Sequence, residues 1–360
     1  MRKVLTLLIG ISAVSLWADI SFSGSPSTGM GGAGLAIVRN PSAQMYQNPA
    51  LAAYVKGVRF GLGSFDFTTK GASLSNLIDD LEFRQGSVAD IATGAALLRK
   101  YAGEDTRLIA TGDIGLVLSG FAISAGAIVD ARLLPNASLQ NWARTSGDPN
   151  AIPADARGDI IAMGVASLPD ITGAARFNFQ GGELAVGARV RSLKVFYTHY
   201  FADQNALQNN QNALRAAELG TRDYLEFNTT SADLGFLWRA PDGTTSYAMV
   251  IENFIEPDLR IDATDRNGNN VRLKPFTRSV HLGVAMEVIG GGVWALDLID
   301  VGNNAGRSEI RAGYEQRIGA LVLRSGYASR TGWTAGIGIG GFNFAYSEEF
   351  PIQVSRMLNF

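Results

Sequence analysis

The residues that most often carry out catalysis are few and scattered along this chain. The two histidines, His199 and His281, lie in separate predicted strands, and neither stands near a group of metal-ligating side chains in the sequence. Cysteine is absent, which excludes thiol chemistry and disulfide bonds. No Gly-x-Ser-x-Gly motif indicates a nucleophilic serine. These residue types therefore predict no catalytic residue, no metal site and no bound cofactor.

Three other segments resemble functional motifs only in part. Asp79 and Asp80 are adjacent on a predicted exposed helix, where carboxylates are usually solvated. Residues 265–270 are rich in Asp and Asn but lack the spacing of an EF-hand, which favours a loop turn. The glycine-rich run 29–36 lacks both the Gly-x-Gly-x-x-Gly pattern and a Lys-Ser/Thr pair. We therefore predict no calcium site and no phosphate-binding loop.

Residues 1–18 are predicted to be a secretory signal peptide. Arg2 and Lys3 precede an apolar run from residue 4 to 16, and the small residue Ala18 stands at a plausible cleavage site. The formal net charge of the chain is −2, and removal of two basic residues makes it more negative. An acidic exported protein is not expected to bind nucleic acid.

After this leader, no apolar run is long enough for a transmembrane helix. Even so, 46% of the residues are hydrophobic and the mean hydropathy is +0.08. The dominant pattern is a series of short segments with period-2 alternation, separated by Gly, Asn and Asp, which indicates strands. We predict about fourteen of them, at 57–69, 106–118, 121–133, 158–179, 183–199, 221–239, 245–257, 273–289, 292–301, 308–317, 320–328, 333–340, 342–347 and 352–360.

The connections between these strands alternate between long and short. The long connections are 70–105, 134–157, 200–220 and 258–272, whereas 119–120, 180–182, 240–244 and 290–291 are tight turns. Outer-membrane barrels have short periplasmic turns and longer outer loops. We therefore predict an all-β fold, a transmembrane antiparallel β-barrel formed by residues 57–360, with outer-membrane lipid as its surroundings.

The last predicted strand illustrates the expected faces. Phe350, Ile352, Val354 and Leu358 share one face with the terminal Phe360, and the length suits a tilted strand that crosses a bilayer. The exception on this apolar face is Arg356. Its side chain either reaches the headgroups or follows a bulge that resets the alternation. A terminal Phe resembles the signal that the barrel-assembly machinery reads.

The opposite face of the strands is expected to line the interior. The polar candidates on this face are Arg189, Arg191, His281, Glu287, Asp297, Arg311, Glu315 and Arg324. One interpretation is a polar path or an electrostatic latch for a plug. The other, which the mixture of signs favours, is a balanced network that stiffens the barrel.

Residues 19–56 do not alternate, and their small residues and two Asn-Pro steps indicate a compact, turn-rich segment. The run from Gly29 to Ala52 resembles the N-terminal signature of FadL-like outer-membrane barrels, which include fatty-acid transporters, and of PorV-type barrels. Residues 187–194 and 250–255 are similar to the conjugal transfer protein TraF-type subgroup.

The resemblance implies that residues 19–56 form a plug, or hatch, inside a 14-stranded barrel. The matching plug residues are Gly31, Gly32, Asn48, Pro49 and Ala50. Glycines 336, 338 and 340 would offer this plug a smooth inner surface, or would serve only to let the barrel curve.

Two functions remain open from the sequence. One is a passive channel for hydrophobic small molecules, in which helical patterns at 74–98 and 206–219 of the outer loops either capture the ligand or cap the barrel mouth. The other is a non-conducting barrel that anchors or shuttles proteins of a secretion or conjugal transfer apparatus. An enzyme is not expected.

Overall fold

The computed structural model describes residues 28–39, 44–70, 102–103, 105–145, 148, 151–203, 225–264, 270–340, 342–348 and 352–359. The predicted signal peptide, the two predicted loop helices and Phe360 lie outside these residues.

Strands make up most of the described chain, as the sequence predicts. The elements are a 3-10 helix Pro49–Tyr54, one α-helix α1 Ala137–Thr145, and the strands β1 Arg59–Lys70, β2 Thr106–Leu118, β3 Phe121–Pro135, β4 Arg157–Phe179, β5 Gly182–Asp203, β6 Leu225–Arg239, β7 Thr245–Ile255, β8 Ile261–Thr264, β9 Asn270–Leu273, β10 Ser279–Val288, β11 Gly292–Ile299, β12 Glu309–Ile318, β13 Leu321–Ala328, β14 Gly332–Ile339, β15 Phe342–Ser347 and β16 Ile352–Asn359.

Fourteen of these strands pair antiparallel with their neighbours in a single order. β7 pairs with β10, so the short hairpin β8–β9 stands outside the series. The first strand pairs with the last, with Phe67 opposite Val354, and the order closes as a barrel. Closure leaves the barrel without a free sheet edge.

The two ends of the barrel differ in their connections. The links β2–β3, β4–β5, β6–β7, β10–β11, β12–β13 and β14–β15 are short, and antiparallel pairing places all of them at one end, which we call the turn end. Gly290 and Gly291, for example, both have positive φ, as a tight hairpin turn requires. The opposite end, the loop end, carries α1 and the hairpin β8–β9, neither of which the sequence predicted.

The exterior face of the barrel is apolar in a broad belt. In β11 the side chains of Trp294, Leu296 and Leu298 are exposed, whereas those of Asp297 and Ile299 are buried. This alternation is the predicted one. Among the described residues no helix has the length and apolar character needed to cross a bilayer.

The strands β4 and β5 are much longer than the others, with 23 and 22 residues. Their exterior is apolar toward the turn end, where Phe177 and Val190 are exposed. Toward the loop end it becomes polar, with exposed Ser192 and with Lys194 paired at 2.6 Å to Glu226. These strands therefore project beyond the apolar belt at the loop end.

Candidate functional site

The interior of the barrel holds the N-terminal segment, by which we mean residues 28–39 and 44–56. Its backbone lies against glycines on the interior face of the strands. A Cβ atom at Gly187 would lie 2.5 Å from the carbonyl carbon of Pro49, and one at Gly283 would lie 2.8 Å from the Cβ of Leu35. The inner wall is therefore shaped to the segment.

The predicted glycine surface on β14 contributes only in part. A Cβ atom at Gly336 would lie 3.0 Å from the Cα of Gly29, so this glycine permits a close approach of the segment. Gly338 lies beside Asn343, and a side chain at Gly340 would meet nothing within 4 Å. The closest approaches occur at Gly187, Gly235, Gly313 and Gly326, which the sequence did not single out.

Asp297 and Thr334 fix the first part of the segment by hydrogen bonds. The backbone N–H groups of Gly34 and Leu35 donate to Oδ2 of Asp297 at 2.6 and 3.1 Å. The N–H of Gly31 donates to the Thr334 hydroxyl at 2.8 Å. Because Asp297 is fully buried, these bonds are shielded from competing water.

Asn48, Pro49 and Ala50 form the second attachment. Oδ1 of Asn48 accepts a hydrogen bond from the N–H of Ala50 at 3.0 Å and caps the 3-10 helix, in which Pro49 takes the first position. Nδ2 of Asn48 donates to the carbonyl groups of Leu35 and Phe236, at 3.0 and 3.3 Å. This one side chain thus joins the helix, the first part of the segment and the wall.

Gly31 and Gly32, the other predicted plug residues, both have positive φ. A Cβ atom at Gly32 would lie 3.1 Å from Cδ of Arg311. A Cβ atom at Gly31 would lie 2.6 Å from the carbonyl oxygen of Tyr327. All five predicted plug residues therefore lie at the inner wall.

Two of the predicted interior arginines form a buried network with a carboxylate from the next strand. Arg189 donates to Asp233 through Nε and Nη2, at 2.9 and 2.7 Å, and through Nη1 to the carbonyl of Tyr46 at 2.7 Å. Arg191 donates to Asp233 at 3.0 Å and to Ser231 at 3.1 Å. Hydrogen bonds between charged groups are strong, and these stabilise the buried guanidinium groups and the carboxylate.

Tyr46 belongs to the N-terminal segment and lies beside this network. Burial, and the nearby carboxyl of Asp113, raise the pKa of its hydroxyl above the usual value. The hydroxyl therefore remains protonated and serves as a neutral group where the segment meets the wall.

His281 belongs to a second network, nearer the loop end. The N–H of Asp300 donates to its Nδ1 at 3.0 Å, so in the neutral ring the hydrogen is on Nε2, which lies 3.2 Å from Glu252. Arg307, from the β11–β12 connection, contacts the same carboxylate and donates to Ser279 at 2.8 Å. Within the described ranges, no three His, Asp or Glu residues are arranged to hold a metal ion.

The remaining predicted interior residues form separate ion pairs. Arg311 pairs with Glu309 at 2.6 Å, Arg324 pairs with Glu315 at 2.8 Å, and Glu287 accepts from Arg39 of the N-terminal segment at 3.2 Å. The structure therefore does not bring the eight predicted residues into one cluster. Their charges are matched locally.

A small cavity of about 50 Å³ remains between the segment and the two networks. Its lining includes Arg189, Glu252, His281, Asp297 and Arg307. A site needs about 10–15 Å³ for each water molecule, so this space suits a few waters. It is too small for a hydrophobic ligand of ordinary size.

The interior at the loop end is of a different kind. Here inward side chains of β3, β4 and β5 form a buried apolar cluster, which we call the apolar compartment, with the segment that follows β7. Its buried residues are Ile128, Ile161, Met163, Val165, Leu193, Val195, Tyr197, Leu259, Ile261 and Phe276.

The sequence did not identify several residues of these sites. Alternation along β6 could have placed Asp233 with the interior residues, because it lies opposite Arg189 in the register. Asp300 and Arg307 stand in a connection, where period-2 alternation gives no signal. The apolar compartment was not predicted either, because the candidates named for the interior face were all polar.

The structure is similar to those of known hydrocarbon channels. It matches a mutant of the TodX monoaromatic hydrocarbon channel with a TM-score of 0.53 and 16% identity, over 95% of this chain and 97% of that chain. For the Ralstonia pickettii toluene transporter TbuX the TM-score is 0.53 at 13% identity, with 95% and 98% covered. For the CymD monoaromatic hydrocarbon channel it is 0.51 at 14% identity, with 95% and 99% covered.

These matches, at 13–16% identity, establish the fold alone. No family model matches the sequence, and no curated protein matches it. The matched proteins are channels and transporters rather than enzymes. They give no support to a secretion or conjugal transfer component, and the TraF-type subgroup stays a prediction.

Proposed function

We propose that this chain is a bacterial outer-membrane channel for the passive entry of hydrophobic small molecules. A ligand enters at the loop end, binds in the apolar compartment and moves on when the N-terminal segment, acting as a plug, is displaced or when the wall opens. The observation that carries this proposal is the apolar interior at the loop end.

The position of the apolar compartment favours a hydrophobic ligand. The interior of a barrel that conducts polar solutes is itself polar, whereas inward residues of β4 and β5, such as Val165 and Leu193, are apolar and buried. The exterior of the same strands is polar at this height, as at Lys194. An apolar ligand that enters here gains about 25 cal/mol for each Å² removed from water.

The outer-membrane location is supported by the exterior belt and by the connections. The belt contains aromatic pairs such as Trp294 with Tyr314 and Tyr327 with Trp333, a composition that suits lipid and its interfaces. Short turns at one end correspond to the periplasmic side of such barrels. We expect the protein in the outer-membrane fraction of its cell, with heat-modifiable mobility in gel electrophoresis.

The role of the N-terminal segment as a plug is supported by how it fills the interior. It contacts glycines of two separate parts of the wall, Gly187 of β5 and Gly313 of β12. The cavity beside it is water-sized. A ligand that crosses the barrel must therefore displace this segment or leave through the wall.

Toluene binding to the purified barrel in detergent tests the proposal. We expect binding by the native chain, and binding about ten-fold weaker in Leu193→Gln, which places an amide in the apolar compartment. The matched control is Ser192→Gln, because Ser192 is the exposed neighbour on the same strand. No toluene or fatty-acid binding by the native chain, or equal losses in both variants, would contradict the proposal.

A further inference from the structure

We propose that the ligands of this channel carry a neutral hydroxyl group on an apolar body, as hydrophobic alcohols and phenols do. The hydroxyl binds between Ser167, Asp170 and Arg191, a group that we call the bulge site, and the apolar body lies in the apolar compartment. This inference rests on the proposed function, because it names the substrate class of the same interior.

The bulge site exists because the alternation of β4 is reset within the strand. Ile161, Met163 and Val165 point inward, as does Ser167, whereas beyond the bulge the inward residues are Asp170 and Thr172. The register shifts between Ser167 and Asp170 relative to both β3 and β5. Two inward polar side chains thus lie three residues apart on one strand.

Arg191 completes the site from the neighbouring strand. It lies directly opposite Asp170 in the register, and Ser167 lies opposite Leu193. Residues opposite each other in an antiparallel pair have Cβ atoms about 4.5–5.5 Å apart. The register therefore places the three residues on one patch of the inner wall, while Nη2 of Arg191 is held from the other side by Ser231 and Asp233.

Each of these side chains has a polar atom that the fold leaves unsatisfied. Within the part of the chain that the structure describes, Oγ of Ser167, Oδ1 of Asp170 and Nε of Arg191 have no hydrogen-bond partner. The three residues are only 1%, 3% and 2% exposed. Buried polar atoms almost always have partners, and leaving them without one is costly, so this group points to a ligand that supplies the bonds.

The apolar compartment begins at the next inward residue of each strand. Val165 precedes Ser167 on β4, and Leu193 follows Arg191 on β5, and both belong to the buried apolar cluster. A molecule that places its polar end at the bulge site therefore has its apolar body among these side chains. The segment after β7, which contributes Leu259 and Phe276 to the cluster, would move aside as the ligand enters.

A hydroxyl fits the bulge site better than other head groups. It both donates and accepts, so it matches an N–H donor together with hydroxyl and carboxyl oxygens. A plain hydrocarbon leaves all three atoms unsatisfied. An anionic head group finds little free positive charge, because Arg189 and Arg191 both pair with Asp233 and the carboxyl of Asp170 lies on the strand position opposite Arg191.

The first experiment compares three ligands of nearly the same shape, toluene, p-cresol and p-methylbenzoate, by calorimetry on the full-length purified barrel at neutral pH. We expect p-cresol to bind about ten-fold more tightly than toluene, and p-methylbenzoate to bind more weakly than p-cresol. Equal affinities for toluene and p-cresol would overturn the inference and leave the proposed function standing. Absence of binding by all three would defeat both.

Variants at the bulge site then test the contact itself. Ser167→Ala should reduce the preference for p-cresol over toluene to about three-fold or less, and the affinity for toluene should not change. Ser167→Thr, which keeps the hydroxyl, should retain the preference. Asp170→Asn should increase the affinity for p-methylbenzoate, because it removes a carboxyl that would face the anion.

The exposed neighbour of Arg191 provides the control. Ser192→Ala alters a hydroxyl on the exterior face of the same strand and should change none of the three affinities. If Ser167→Ala weakened toluene and p-cresol equally, Ser167 would act only in the structure of the wall, and the inference would fail.

Discussion

The two parts of the barrel interior are held together by different means. Around the N-terminal segment the contacts are between backbone and glycine, and the segment's own N–H groups bond to Asp297 and Thr334. In the apolar compartment, branched aliphatic side chains such as Ile161 and Val195 pack together without directional bonds. The first arrangement admits one docked position, whereas the second tolerates changes in shape and volume.

The proposed function would give the two parts separate tasks. A plug has to return to the same place, which directional bonds and close backbone approach ensure. A compartment that received ligands of varied shape would need apolar surface and few fixed geometries, and the proposed bulge site would then supply the specificity. Substitutions should therefore have sharp effects at the segment and graded effects in the compartment.

The largest effect is expected at Gly187. In Gly187→Val the new Cβ would lie 2.5 Å from the Pro49 carbonyl carbon, and because backbone cannot yield as a side-chain tip does, overpacking costs about 1–3 kcal/mol or more. We expect the segment to leave its docked position. If the proposed function holds, the variant should show open-channel events in planar bilayers more often than the native protein does.

Gly173→Val provides the matched control. Gly173 lies opposite the neighbouring residue Ala188 in the β4–β5 register, and a Cβ there meets nothing within 4 Å. This variant should conduct as the native protein does. Similar conductance in both variants would mean that the contact at Gly187 does not hold the channel closed.

A smaller effect is expected from Asp297. Asp297→Ala leaves the buried N–H groups of Gly34 and Leu35 without their acceptor, at a cost of about 1–3 kcal/mol each. Hydrogen exchange within residues 28–39 should become faster by more than ten-fold. Asp297→Asn keeps an acceptor oxygen, so its exchange rate should lie between those of the native protein and of Asp297→Ala. Unchanged exchange in Asp297→Ala would show that the segment is held by packing alone.

The sequence predicted the barrel well because its strands obey a local rule. Alternation of apolar and polar residues is set by the two faces of each strand, so β11 and its neighbours could be located from the sequence with small errors. The predicted start of β10 was wrong by several residues. Residues 273–278 belong to the hairpin β8–β9 and the connection after it, and Ser279 begins the strand.

The site was less predictable because it depends on contacts between distant segments. Asn48 meets Phe236 from 188 positions away, a pairing that no local pattern encodes. The bulge in β4 reverses the expected faces beyond Ser167, so alternation counted from Ile161 assigns Asp170 to the exterior. Interior placement of all eight predicted polar residues followed from alternation, but their partners did not.

In the apolar compartment a graded effect is expected. Ile161→Val removes one methylene from a residue that is 2% exposed and should lower the free energy of unfolding by about 1 kcal/mol. Ile171→Val on the same strand removes the same group from a side chain 42% exposed on the exterior, where the cost should be smaller. Chemical denaturation in lipid vesicles measures both, and equal losses would mean that the compartment is no better packed than the belt.

The smallest effect is expected from an exposed ion pair in the hairpin β8–β9, whose residue Ile261 belongs to the compartment. Its cross-strand ion pair, Asp262 with Arg272 at 2.8 Å, is mostly exposed to solvent, and such pairs contribute little because water and salt screen them. The hairpin is held instead by the apolar contacts of Ile261 and Leu273. Arg272→Gln should therefore leave both the unfolding midpoint and toluene affinity unchanged at any ionic strength, whereas Ile261→Ala should lower the midpoint and alter toluene binding. If Arg272→Gln lost toluene binding in a way that depends on salt, charge would hold the hairpin at the compartment. The contrast between a hydrogen-bonded N-terminal segment and an apolar compartment would then fail.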